Sequence, residues 1–235
     1  MIADAIQKIV NLGKGQLMEI DGCNWYFYGE NFRPCLPPSV TPIESETLAS
    51  VVDYVNQNPD GNSFPVFIHV ESFRKVSVCG QIDPKFKMRP VYLTAMTPFN
   101  ETSRIWLPID QFIIHLQANF VSSEKRNELL SFVSGIRCDD NAIFEDNGVS
   151  QQVAVKRGIK SALEPSTPNP ITLTPFRTFP EIKQPESPFV FRLRQLEGDT
   201  PTACLFCGDG GTWRIEAATA IREWLSERVN CPILA

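Results

Sequence analysis

The chain has 235 residues, 43% of them hydrophobic and 21% charged, with a formal net charge of −5. That balance excludes a disordered or collagen-like chain and, at this length, allows one large domain or two small ones without covalent staples. No run approaches the ~18 apolar residues of a membrane-spanning helix, and the acidic balance speaks against a dedicated nucleic-acid coat.

In chain order, Ile2, Ala5, Ile6, Ile9 and Val10 recur at helical spacing, with Asp4, Gln7 and Lys8 between them. This predicts an amphipathic helix and not the unbroken apolar stretch of a secretory signal, so the expectation is a cytoplasmic protein without membrane association. Gly13 fits the helix C-cap. The aromatic run Cys23-Asn-Trp-Tyr-Phe-Tyr28 reads as a strand, and Pro34, Pro37 and Pro38 as a turn-rich passage. A second helix is expected to start at Thr41, with Pro42 in its first position and Glu44 closing a capping box. Leu48, Val51, Val52 and Val55 form its apolar stripe, and Pro59-Asp60-Gly61 turns it off. Residues 66–71, 75–79 and 91–96 then predict a three-strand meander.

The middle is helical, first over Phe112, Ile113, Leu116 and Phe120, then from Ser122 through Leu129, Phe132 and Val133. Asn147-Gly148 between β-prone runs predicts a hairpin. Residues 164–188 contain seven prolines, which exclude regular helix and predict an extended arm. Ile171, Leu173, Phe176, Phe179 and Ile182 are its apolar anchors, so it should lie on its own domain or on a neighbouring subunit. Along residues 189–194, Phe189, Phe191 and Leu193 share one face, and Val190, Arg192 and Arg194 the other. Gly198-Asp199 turns the chain into a strand at 202–207. Ala218, Ile221, Leu225 and Val229 stripe the last helix, and the apolar end of the sequence should pack. These elements predict an α+β fold of antiparallel sheets, packed helices and a long Pro-rich extended arm. A core over 1–163 is followed by the arm at 164–188 and a β-β-α segment at 189–235 that packs on the core.

Charge is unevenly spread. Residues 73–90 carry Arg74, Lys75, Lys85, Lys87 and Arg89 against Asp83, and residues 151–194 hold a similar excess. Such segments point to localised anion binding, or to solvated faces paired with acids elsewhere. Basic residues beside Phe73 and Phe86 also fit a groove for single-stranded nucleic acid. Gly208, Asp209, Gly210, Gly211 and Trp213 lie between a strand and a helix. There backbone N–H groups and a helix N-terminus are able to receive an anion, unless the glycines serve only a tight turn. The segment matches neither the P-loop nor the dinucleotide fingerprint. Arg192 and Arg194 project together from one strand face as a two-pronged cation pair, with Arg177 in reach from the arm, although salt bridges on a surface strand explain them equally.

Catalytic chemistry finds little footing. His69 and His115, the only histidines, sit within apolar runs and read as structural. Seven scattered cysteines fit reduced thiols, and Cys204-Leu-Phe-Cys207 lacks a second ligand pair for zinc. Asp139, Asp140, Glu145 and Asp146 miss the spacing of a calcium loop. No catalytic residue, metal ligand or cofactor is assigned.

The block Asn169-Pro-Ile-Thr-Leu-Thr-Pro-Phe-Arg-Thr-Phe-Pro-Glu-Ile-Lys-Gln-Pro-Glu-Ser-Pro-Phe-Val-Phe-Arg-Leu-Arg194, with the order of elements around it, resembles proteins encoded in early regions of tailed bacteriophages and prophages, a family with no established activity. The resemblance implies a viral protein acting in the host-cell cytoplasm. The leading expectation is a non-enzymatic homo-oligomer that self-assembles through the arm and binds an anionic ligand or host factor, for example a nucleotide signal, at Arg177, Arg192, Arg194 and the 208–213 turn. The alternatives are an accessory nucleic-acid-binding protein using the basic residues of 73–90, and a metal-dependent enzyme acting on nucleotides.

Overall fold

The computed structural model describes residues 2–13, 15–20, 23–28, 31–35, 41–62, 65–84, 87–99, 102–136, 142–146, 151–155, 169–194 and 200–235. The fold is α+β, as the order of elements predicts. Helix α1 (Ile2–Gly13) leads into an antiparallel meander of β1 (Gln16–Ile20), β2 (Cys23–Tyr28) and β3 (Asn31–Pro34).

The next elements are β4 (Ile43–Ser45), α2 (Leu48–Gln57), β5 (Phe67–Ser72), β6 (Lys75–Cys79) and β7 (Val91–Met96). Strands β5, β6 and β7 are the predicted meander. Period-two alternation turns Ile68, Val70, Val76, Val78, Leu93 and Ala95 to one face, where Leu48, Val51 and Tyr54 of α2 cover them. The predicted start of α2 at Thr41 is corrected. Ile43 pairs in parallel with Leu93 of β7, so the segment around Pro42 and Glu44 is extended. Thr47 is the N-cap instead, and its Oγ1 accepts the Ser50 N–H at 3.4 Å. Glu181 reinforces the cap from far along the chain, accepting the Leu48 and Ala49 N–H groups at 2.7 and 3.3 Å.

A second layer starts with β8 (Leu107–Pro108), α3 (Ile109–Asn119) and α4 (Glu124–Ser134). Strands β9 (Ala142–Asp146) and β10 (Gln151–Val155) pair antiparallel. The Asn147-Gly148 turn predicted between them lies outside the described residues. Strands β11 (Ile171–Leu173), β12 (Ser187–Arg194) and β13 (Thr202–Cys207) complete a four-stranded sheet ordered β11-β12-β13-β8. Phe112, Leu116, Leu129 and Val133 of its helices pack against Phe189, Phe191, Leu193 and Leu205. Helix α5 (Trp213–Ser226) and β14 (Ile233–Leu234) return to the first sheet, ordered β14-β5-β6-β7-β4. The apolar end of the sequence thus packs, in parallel with β5. The stripe of α5 that is buried is Trp213, Ala217, Ile221 and Leu225. Ala217 takes the place predicted for Ala218, and Val229 lies past the helix end.

The described part of the arm, from Asn169 onward, is spent on its own chain. Ile171 and Leu173 join the core of the second layer, and Phe179 and Ile182 that of the first. Phe176 alone among its predicted anchors is exposed, at 52%. Residues 169–188 are therefore a strap that laces the two layers together. Among the described residues no helix is long and apolar enough to cross a membrane.

Candidate anion-binding cleft

Strand β13 ends at Cys207, where the Gly208 N–H donates to the Pro188 carbonyl at 2.8 Å. The chain then turns into α5 through Gly210 and Gly211, whose φ values of +66° and +91° lie in the left-handed region that glycine enters without strain. Asp209 is the keystone of this turn. Its Oδ1 accepts the Gly211 N–H at 2.9 Å and the Cys207 thiol at 3.2 Å, and its Oδ2 accepts the Ser187 hydroxyl. Partial burial alone would raise its pKa. The bonds from Ser187, Gly211 and Cys207, with the charge of Arg177, outweigh that and hold it below the usual carboxylate range.

The strap delivers Arg177 to the same place. Its side chain is buried, and Nη2 donates to the Pro185 carbonyl at 3.0 Å and to Ser187 Oγ at 2.5 Å. Nη1 lies 4.0 Å from Cys207 Sγ, and Nε is buried without a partner among the described residues. The guanidinium stacks 4.1 Å from the centre of the Trp213 ring. Burial pushes the Arg177 pKa down, with Cys207, Asp209 and Glu216 opposing it. The buried amide of Gln184 fixes the strap here. Its Oε1 accepts the Arg177 and Thr178 N–H groups at 3.0 and 3.2 Å, and its Nε2 donates to the Phe179 carbonyl at 3.0 Å.

Around this framework opens a cleft of about 310 Å³ at the junction of the two layers. Phe99 and residues 102–104 line one side, and Arg177, Cys207, the Asp209–Gly211 turn, Trp213 and Arg214 the other. Arg104 holds a left-handed backbone (φ +62°), tied by its N–H to the Leu205 carbonyl at 2.7 Å, and its side chain is exposed. Arg214, at the second position of α5, is exposed as well. The Gly210 and Trp213 N–H groups have no acceptor among the described residues. Among the described lining residues Asp209 is the single carboxylate and faces Arg177, on which Glu216 also acts, while Arg104 and Arg214 add two positive charges to the lining.

Of the residues predicted to bind ligand, Arg177, Asp209, Gly210, Gly211 and Trp213 meet at this cleft, and Gly208 adjoins it. Arg192 and Arg194 do not. They stand on the face of β12 opposite Phe189, where Arg192 Nη1 bonds the Phe191 carbonyl at 2.9 Å and Arg194 stacks 4.6 Å from the centre of the Trp106 ring. Sequence reasoning missed Arg104 and Arg214. The position of Arg214 just behind the glycine turn was a readable signal, whereas Arg104 reaches the cleft only through tertiary pairing with β13.

The predicted nucleic-acid residues spread out. Lys75 pairs with Glu71 at 2.8 Å, and Arg74 is exposed at the β5–β6 turn. Arg89 donates to the Gly80 carbonyl at 3.1 Å and stacks 4.8 Å from the centre of the Phe67 ring. These groups lie at opposite ends of β6, about 16 Å apart at ~3.3 Å per residue. Lys87 shares the Arg89 end through its N–H bond to the Asp83 carbonyl, and Lys85 lies outside the described residues.

Cys204 points away from Cys207 and is buried, which pushes its thiol up to about 11. Asp139 and Asp140 lie outside the described residues. No cluster of three or more His, Cys, Asp or Glu side chains suited to a metal occurs among the described residues. No family model, curated protein or solved structure matches the chain.

Proposed function

We propose that this chain is a binding protein that takes a small anionic ligand in the cleft, without turning it over. One observation carries the reading: among the described residues, three arginines and two backbone N–H groups without an acceptor line a cleft whose one carboxylate is already bonded. A helix N-terminus behind glycines favours negative charge. Arginine forks match carboxylate and phosphate oxygens. The described basic residues of 74–89 lack this convergence, so the cleft and not that segment is the basis of the proposal. Following the resemblance to phage early-region proteins, we propose that the ligand is met in an infected cell, as a free nucleotide or as an anionic group on a host factor. Self-association is the second part of the proposal, with Phe176 the arm anchor left for a neighbouring copy.

Calorimetric titration of the full chain with phosphate, pyrophosphate and citrate at low salt tests the binding. Replacing Arg104 and Arg214 together by Ala should weaken it at least tenfold, given about 1.5–3 kcal/mol for each hydrogen bond to a charged group. The Arg192→Ala/Arg194→Ala double variant should bind as the wild type does. A wild type that takes none of the three anions refutes the reading.

A further inference from the structure

We infer that the anion is a nucleoside monophosphate, held with its base against Phe99 and its phosphate at the glycine turn. The inference rests on the anion-binding reading and adds a ligand class to it. The cleft holds about 310 Å³, at the floor of the roughly 300–1,000 Å³ typical of small-molecule sites. A bare phosphate leaves most of that space unfilled.

An aromatic wall flanks the cleft. Phe73 stands edge-on to both Phe99 and Trp213, with ring centres 5.3 and 4.6 Å away. It thereby sets those two rings nearly parallel, at 19°. Trp213 is buried and already carries the Arg177 guanidinium. Phe99 is half-buried, lines the cleft, and has no cation over its ring among the described residues. Although stacked 6.3 Å from the Trp213 ring, it is the one part-exposed aromatic among the described lining residues, and so the ring offered to a base, the contact by which proteins hold nucleobases without reading their edges.

A monophosphate dianion matches the two positive charges that Arg104 and Arg214 add to the lining. Gly210 has nothing within 4 Å of where a side chain would begin, so the turn is open on that side, and its N–H and that of Trp213 have no acceptor among the described residues.

Calorimetry on the full chain compares adenosine and guanosine 5′-monophosphates with ribose 5-phosphate. Stacking of one base should make the nucleotides bind roughly 5- to 100-fold more tightly than the sugar phosphate. Phe99→Leu, which keeps apolar bulk but removes the ring, should erase that difference. Phe99→Ala should do the same. If ribose 5-phosphate binds the wild type within about twofold of the nucleotides, or if the difference survives in Phe99→Leu, the nucleotide inference falls and the anion reading stands. A glutamate-rich peptide that binds more tightly than either nucleotide overturns the inference too. If no phosphate compound binds, the anion reading itself falls.

Discussion

Asp209 receives three donors, so its ionised form is part of the folded turn. Asp209→Asn keeps one acceptor oxygen and removes the charge that Arg177 answers through Ser187. The expected cost is about 1.5–3 kcal/mol, the worth of a hydrogen bond to a charged group, read as a lower urea midpoint. The pH dependence has a definite sign. Because the folded carboxyl is held below its ordinary value, its stabilisation is complete above about pH 4 and drains away as pH falls through the lower folded value. Thermal unfolding from neutral to acidic pH should therefore fall more steeply for the wild type than for Asp209→Asn, and parallel curves would remove this role.

The strap works at the scale of an element. It has little regular structure, yet its side chains reach both cores and its polar groups satisfy distant backbone. Thr178 Oγ1 donates to the Phe73 carbonyl at 2.5 Å, which fixes the turn that carries the aromatic wall. Phe179 is fully buried, and truncating it to Ala should cost about 3–5 kcal/mol in urea unfolding. Glu181→Ala should cost about 1 kcal/mol through the lost cap of α2, a loss that far-UV circular dichroism will follow. Placed in the strap, Arg177 sits in the cleft only while the strap is docked. Phe179→Ala should accordingly weaken anion binding as well as stability.

The whole molecule is acidic, at −5, while the cleft is locally basic. Anion binding should weaken as salt rises, because Arg104 and Arg214 are exposed to screening over a Debye length of about 10 Å at 0.1 M. Titrations at two ionic strengths check this. Self-association is read by light scattering. A wild-type mass that is a multiple of 26.4 kDa and drops to the monomer in Phe176→Ser is the outcome expected of assembly through the arm. A monomeric wild type removes that part of the proposal.

The sequence by itself determined the α+β class, the β5–β7 meander, the helices of the second layer and the inward face of β12. Each follows from a local period of burial, two residues for a strand and 3.6 for a helix, which neighbours along the chain impose on one another. It also marked the glycine turn and Arg177. Only the tertiary structure decided that Pro42 and Glu44 lie by a strand, because the parallel partner of β4 is some fifty residues away. It likewise placed Arg192 and Arg194 outside the cleft and Arg104 and Arg214 within it, since a charge on an exposed position leaves no periodic trace. The strap is the clearest case. Its prolines announced an extended segment, but what such a segment lies on is set by the surfaces that other elements leave uncovered, and those exist only once the two sheets have formed.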